Sequence, residues 1–248
     1  MRIKLHFELE NNIIPKDYRI LILSFIKNSL EKNFKESYKE IYESKDKPIM
    51  KFFTFSVYLP KPKIEKDKIE LLGGNYFNAV FSIYDNKRFI EFYNSFNSAI
   101  NREIEEDKEN SYAIKNNKMK LKNITMLNEK IISSNRAIIK FLSPLVLRKH
   151  EERTINEKRK GKDIYLDFND SDFDEQLNYS VSRLIKDLKL NGVHSNIKLE
   201  PCKSARKTVA NFKNVSIHSS IGEFVISGES ELLNILYKTG IGGRRGEG

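Results

Sequence analysis

Cysteine is nearly missing from this chain: Cys202 stands alone in 248 residues. A single thiol excludes an internal disulfide and a cysteine metal cluster, and a reducing cytoplasm is the compartment expected for such a chain. Histidine is scarce as well, with only His6, His150, His194 and His218. They lie far apart and none has a partner at zinc-finger or i,i+4 spacing, so neither a metal nor another cofactor is expected. No apolar run reaches membrane-spanning length, and the chain begins at once with an alternating strand; no membrane partner and no signal peptide are read from it. Glycine is the last shortage. Of 11 glycines, five fall in the final ten residues, Thr239-Gly240-Ile241-Gly242-Gly243-Arg244-Arg245-Gly246-Glu247-Gly248.

Basic residues are what the chain has in excess, 44 against 34 acidic, for a net charge of +10 and a pI near 9.4. Such a balance points to a polyanionic partner. The terminal run fits that partner: glycines let backbone N–H groups converge on an anion, and arginines add planar, bidentate phosphate donors. Gly240, Gly242, Gly243, Arg244, Arg245 and Gly246 are therefore candidate phosphate contacts. A flexible tail is the competing reading. Against it, the run follows directly on a helix over 229–238 with Leu232, Leu233, Leu236 and Tyr237 on one side, and such a helix would position the turn.

Alternation over residues 2–10 puts Ile3, Leu5, Phe7 and Leu9 on a core face and Arg2, Lys4, His6 and Glu8 on the other. After Pro15, the spacing of Tyr18, Ile22, Phe25, Ile26, Ser29 and Leu30 predicts a helix over 16–33. A polar connector over 34–49 carries Tyr38 and Tyr42, and an aromatic strand follows over 50–59. Residues 67–72 and 76–84 read as two strands of a hairpin joined by Gly73-Gly74. A second helix is predicted over 87–105, and a closing strand over 118–126. The order β-α-β-β-α-β matches a ferredoxin-like domain. The second half repeats that plan, with strands over 137–147 and 164–168, a helix over 172–190, and strands over 195–200, 206–218 and 223–227. The expected class is α+β, two tandem ferredoxin-like (RRM-like) domains over 1–127 and 128–248 with a cleft between them. Residues 148–162 read as a largely basic loop in which Arg148, Lys149 and His150 are candidate contacts for a polyanion.

Four stretches together resemble the CRISPR-associated endoribonucleases that cut precursor CRISPR RNA within its repeats, members of the repeat-associated RNA-binding superfamily. They are the opening strand with its Pro15 helix; Lys51-Phe52-Phe53-Thr54-Phe55-Ser56; Ile139-Lys140-Phe141-Leu142-Ser143-Pro144-Leu145-Val146; and the glycine-rich terminus. The resemblance implies metal-independent cleavage of CRISPR repeat RNA by attack of a ribose 2′-hydroxyl, leaving a 2′,3′-cyclic phosphate and a 5′-hydroxyl. Such a reaction needs a base, a proton donor for the leaving oxygen and positive charge on the phosphate. Other CRISPR effector subunits and a second copy of the chain are the further partners it allows.

The family's commonest catalytic set is a tyrosine on the first helix, a histidine in the connector and a lysine before the aromatic strand. Lys51 matches the lysine, Lys27 stands near the tyrosine's place, and no histidine occurs in 34–50. Lys51, Lys27, Tyr42 and Tyr38 are thus the catalytic candidates, while His6 and Lys4 face the polar side of the first strand as RNA contacts. The missing histidine keeps open an alternative, a non-catalytic subunit that holds guide RNA within an effector assembly.

Overall fold

The computed structural model describes residues 1–43, 51–100, 103–104, 117–150, 163–212, 215–243 and 245–247. The chain divides into two compact units, Met1–Lys130 together with Gly246–Gly248, and Ile131–Arg245. Sequence reading had left the whole glycine-rich terminus with the second half; its last three residues group with the first.

In the first unit, β1 (Arg2–Leu9) buries Ile3, Leu5, Phe7 and Leu9, as its alternation dictates. β2 (Ile13–Pro15), α1 (Tyr18–Asn33) and α2 (Lys35–Tyr42) follow, then β3 (Phe53–Tyr58), β4 (Pro62–Ile64), β5 (Lys68–Leu71) and β6 (Tyr76–Ile83). α3 (Asn86–Asn97), β7 (Glu103–Ile104) and β8 (Met119–Leu127) complete it. The main sheet runs β3-β6-β1-β8-β7, with every neighbour antiparallel. Stripped of the two-residue β7, that is the ferredoxin-like order built from the β-α-β-β-α-β sequence of β1, α1, β3, β6, α3 and β8. Aromatic packing closes the core: Phe7 meets Phe25 edge-on and stacks on Phe77, while Phe81 contacts Phe53, Phe92 and Phe96. Burying such side chains stabilises the unit by about 1.5–3 kcal/mol each.

The expected hairpin across Gly73-Gly74 does not form. β5 pairs with β2 and β4 in a separate three-stranded sheet, while β6 pairs with β1 and β3. The two glycines instead carry the chain from one sheet to the other. Gly73 donates its N–H to Pro60 O at 3.2 Å, and a Cβ there would stand 2.8 Å from Pro60 Cβ; Gly74 has φ +128°. Both constraints call for glycine without making a two-residue turn.

The second unit contains β9 (Arg136–Leu145), β10 (Leu147–His150), β11 (Asp163–Leu166), α4 (Phe173–Asp187), β12 (Lys198–Pro201), β13 (Arg206–Phe212), β14 (Val215–Ser227) and α5 (Ser230–Thr239). β14 is its spine, pairing antiparallel with β9, β12 and β13. The sequence had suggested strands over 206–218 and 223–227; they regroup because Gly222, at φ +112°, sits within β14 as an irregularity and does not end it. A Cβ on Gly222 would lie 2.8 Å from Ala205 Cα, so only glycine admits that approach. The start of the expected basic loop is also strand, since β10 pairs with β11; its remainder, 151–162, lies outside the described residues. α4 buries Phe173, Leu177, Val181, Leu184 and Ile185, and α5 buries Leu232, Leu233, Ile235 and Leu236. Among the described residues no helix is long and apolar enough to cross a membrane.

Candidate active site

α1 turns Ile22, Phe25, Ile26, Ser29 and Leu30 into the core and leaves Lys27 exposed on its opposite side. α2 then presents Tyr38 and Tyr42, four apart and hence on one helical face, with ring centroids 5.4 Å apart. Over the Tyr42 ring lie two ammonium groups, Lys27 Nζ at 5.1 Å and Lys51 Nζ at 4.9 Å from its centroid. Lys51 also approaches the Phe53 ring, at 5.8 Å. All four residues that sequence analysis put forward as catalytic thus meet around one phenol. A cation above an aromatic face is attracted to the ring's quadrupole, by about 0.5–1 kcal/mol at an exposed site, and keeps its charge.

The phenol itself is unusual. Its hydroxyl oxygen is buried and has no hydrogen-bond partner among the described residues. Burial, and secondarily the neighbouring Tyr38, raise the Tyr42 pKa above the ordinary tyrosine value. Tyr38 shifts the same way through burial and then through Glu31 and Glu43. Both phenols therefore hold their protons at neutral pH; they can donate a hydrogen bond but make poor bases.

Lys51 has a third neighbour from the far end of the sequence. Gly246, in the 3₁₀ turn Arg245–Glu247, is buried, and a Cβ on it would stand 3.0 Å from Lys51 Cβ and 3.2 Å from Lys51 Cγ. The missing side chain is what lets this turn lie along the lysine stem. One candidate RNA contact and one candidate catalyst are thereby brought together.

The rest of the glycine-rich segment is anchored in the second unit. Gly240 ends α5 with φ 75°, and its N–H bonds Leu236 O at 2.8 Å. Gly242 has φ +99°, and a Cβ there would meet Leu145 Cδ1 and Val146 O, both at 2.8 Å. Gly243 donates to Val146 O at 2.8 Å. The amides of Gly240 and Gly243 are thus committed to backbone carbonyls. Arg245 corrects the expectation of an exposed phosphate donor: it is 7% exposed and its Nη1 donates to Gly240 O at 3.2 Å. Burial pulls its pKa down to about 10 while the Asp187 carboxylate opposes that shift. It staples the loop from inside. Arg244 lies outside the described residues.

On the polar face of β1, His6 Nδ1 pairs with Asn78 Oδ1 at 2.9 Å and its ring lies 5.4 Å from that of Tyr76. Lys4 shares that face, opposite Val80 and Thr125. Neither contacts the Tyr42 ring. In the second unit Arg148 pairs with Asp163 at 3.2 Å and Lys149 forms a short ion pair with Asp172. The hydrogen bond from Lys149, helped by Ser171, holds the Asp172 carboxyl below the usual carboxylate range. His150 lies opposite Asp163 in the β10–β11 pair.

Sequence reading missed a polar cluster beside the site. Arg88 Nη1 donates to Ser37 Oγ at 2.7 Å and to Glu91 Oε2 at 3.1 Å, Nη2 forms a short ion pair with Glu40, and the Ser37 hydroxyl donates to Glu91 at 2.7 Å. Little local marks Arg88: an arginine in the first turn of a polar helix reads as solvated, and its α2 partners Ser37 and Glu40 lie 51 and 48 positions away.

Residues 127–248 match the family described as CRISPR associated protein Cas6, C-terminal. No curated protein matches the chain. Over its full length it resembles a solved RAMP protein binding different RNA substrates, with a TM-score of 0.81, 20% identity and 96% of that chain covered. A Cas6-related protein from Pyrococcus furiosus gives a TM-score of 0.82 at 21% identity, with 100% of this chain and 95% of that chain covered. A Cas6 solved as a product complex gives 0.63 at 13% identity, covering 100% and 97%. The chain shares the double ferredoxin-like fold of these proteins, and its residues 127–248 match the C-terminal domain of the CRISPR-associated Cas6 family.

Proposed function

We propose that this chain is a metal-independent endoribonuclease that cleaves CRISPR repeat RNA by attack of the 2′-hydroxyl on the adjacent phosphate. The observation that carries the reading is the convergence of Lys27 and Lys51 on the Tyr42 ring, with Gly246 against Lys51. Two cations held at one place by an aromatic face, and not neutralised by it, suit the dianionic phosphorane that forms when the 2′-oxygen adds. The Tyr42 hydroxyl, protonated and without a partner among the described residues, is a ready hydrogen-bond donor to a phosphate oxygen. An ammonium supplies the proton that the departing 5′-oxygen takes up, while the 2′-hydroxyl proton passes to water, which returns a proton to the amine so formed. The Cas6 family match over residues 127–248 and the structural likeness to a Cas6 solved as a product complex support repeat RNA as the substrate.

The non-catalytic reading, a subunit holding guide RNA, draws on the absence of a histidine in 34–50 and on phenols that cannot serve as bases. Incubation with end-labelled repeat RNA in excess chelator separates the two. Cleavage to a 2′,3′-cyclic phosphate, abolished by 2′-deoxy substitution at the scissile nucleotide, is expected. Tight binding without a product would leave the guide-holding role, and cleavage lost to the chelator would replace side-chain chemistry with metal-assisted hydrolysis.

A further inference from the structure

α2 carries both tyrosines of the site, and its apolar residues Tyr38, Ile41 and Tyr42 are only partly buried against the core. It has eight residues, below the length at which isolated helices persist. Its N-terminus has no side-chain cap, and Ser37 is its one fully buried residue. A buried serine gives almost no hydrophobic anchorage. What it gives is a hydroxyl, which accepts from Arg88 Nη1 at 2.7 Å and donates to Glu91 at 2.7 Å. Glu40, one turn farther along α2, takes the other arm of the same guanidinium. Arg88 therefore grips α2 at two points from α3, with Glu91 as its neighbour on the same helix.

The same guanidinium reaches the strand side of the site. Its Cζ lies 5.9 Å from the centroid of the Phe52 ring, and Phe52 is the residue next to Lys51. Phe52 in turn packs edge-on against Phe92 of α3, with centroids 6.4 Å apart. One side chain, 19% exposed, thus touches the helix that bears Tyr42 and the residue that follows Lys51. Planar, five-donor arginine suits that double grip; a lysine ammonium cannot hold a serine, two carboxylates and a ring face together.

We propose that Arg88 is the positioning residue that sets Lys51 over Tyr42, and that it acts on cleavage only through that pair. The inference rests on the functional reading above for its catalytic consequence but not for its geometry.

The test therefore has two arms. In the free protein, trace acetylation of lysines read by peptide mass spectrometry should show Lys51 labelling about threefold or more faster in Arg88→Gln than in wild type, because an ammonium released from a ring face becomes more accessible. Arg136→Gln, which breaks a surface ion pair of the second unit, should leave Lys51 labelling unchanged. With repeat RNA, the single-turnover rate at saturating Arg88→Gln should fall roughly tenfold with the dissociation constant within about twofold. The loss should vanish in a Lys51→Ala background, since two changes acting through one pair do not multiply. Glu40→Gln removes one arm of the grip at a position 59% exposed, so it should fold whatever Arg88→Gln does and move both readouts the same way, less far. Unaltered Lys51 labelling in both variants, or losses that multiply with Lys51→Ala, would overturn the proposal. If wild type does not cleave, the functional reading fails alone and the labelling arm still decides the role of Arg88.

Discussion

Two groups of basic residues in this molecule differ in what faces them among the described residues. In the first unit Lys27 and Lys51 lie over an aromatic ring; in the second, Arg148, Lys149 and Lys207 lie against Asp163, Asp172 and Asp167. The energies are similar, about 0.5–1 kcal/mol for an exposed cation–π contact and about 0–1 kcal/mol for a surface ion pair. The fields are not. A ring orients a cation and leaves its charge available to an incoming phosphate, whereas a carboxylate cancels it, and phosphate can meet such a cation only by displacing the carboxylate. Position in a basic stretch of sequence does not separate the two cases; the identity of the neighbour does.

The largest effect expected from this contrast is at Lys51. Lys51→Ala should lower the single-turnover cleavage rate by about 10²-fold or more, with repeat-RNA affinity nearly unchanged, because one preorganised charge at the reacting phosphate is lost. A wild-type rate would take Lys51 out of the chemistry and leave Lys27 and Tyr42 to be tested in its place. Next in size is Gly246. A valine there has to displace the Lys51 stem, since even a Cβ would stand 3.0 Å from Lys51 Cβ. The rate should fall roughly tenfold or more. If Gly246→Val cleaves normally, the turn adapts and its contact with Lys51 does not matter to the reaction.

The elements that make this arrangement possible were largely legible. Alternation in β1 and helical spacing in α1 and α4 are periodic signals set by burial on one face, and the structure keeps them. Glycine misled where its role was tertiary. Gly73 and Gly74 look like a turn but serve a crossing between sheets, and Gly222 looks like a strand end but is a bulge. The site was legible as a set of residue types and not as an assembly. Lys27, Tyr42 and Lys51 could be named one by one, but only the fold sets two ammonium groups over one phenol. Arg88 and Arg245 were missed or misread for a shared reason: an arginine's sequence neighbours say nothing of whether its guanidinium ends in solvent or beneath a loop, as that of Arg245 does at 7% exposure.

Tyr42→Phe sharpens the contrast at a smaller scale. The hydroxyl is buried without a partner among the described residues, so its removal costs no protein hydrogen bond, and the melting temperature should hold or rise slightly. Cleavage should slow by roughly fivefold, the worth of about 1 kcal/mol for one donor to the phosphate. Burial holds the phenol protonated beyond its ordinary value of 10.0, so no limb of the wild-type pH–rate profile below that pH belongs to it, and Tyr42→Phe should leave the profile's shape unchanged. A limb that disappears in the variant would make the tyrosine a base after all.

The smallest effect is expected where cations already have carboxylates. If the protein neutralises roughly 4 to 6 RNA phosphates, log affinity should fall with log salt at a slope of about −3 to −4, as for single-stranded nucleic acid. Were Arg148 and Lys149 both direct phosphate contacts, Arg148→Ala with Lys149→Ala would flatten that slope by about 1.4. Both are instead engaged, with Asp163 at 3.2 Å and with Asp172, so removing them also uncovers two carboxylates that repel the same phosphates. The double variant alone cannot tell that repulsion from a lost contact. Adding Asp163→Asn and Asp172→Asn removes the ambiguity: the quadruple variant should bind within about threefold of wild type and keep the slope within about 0.7. A slope still flattened by the full amount would mean that RNA draws both cations out of their ion pairs, and the distinction between ring-held and carboxylate-held charge would fail at the place where the structure states it most plainly.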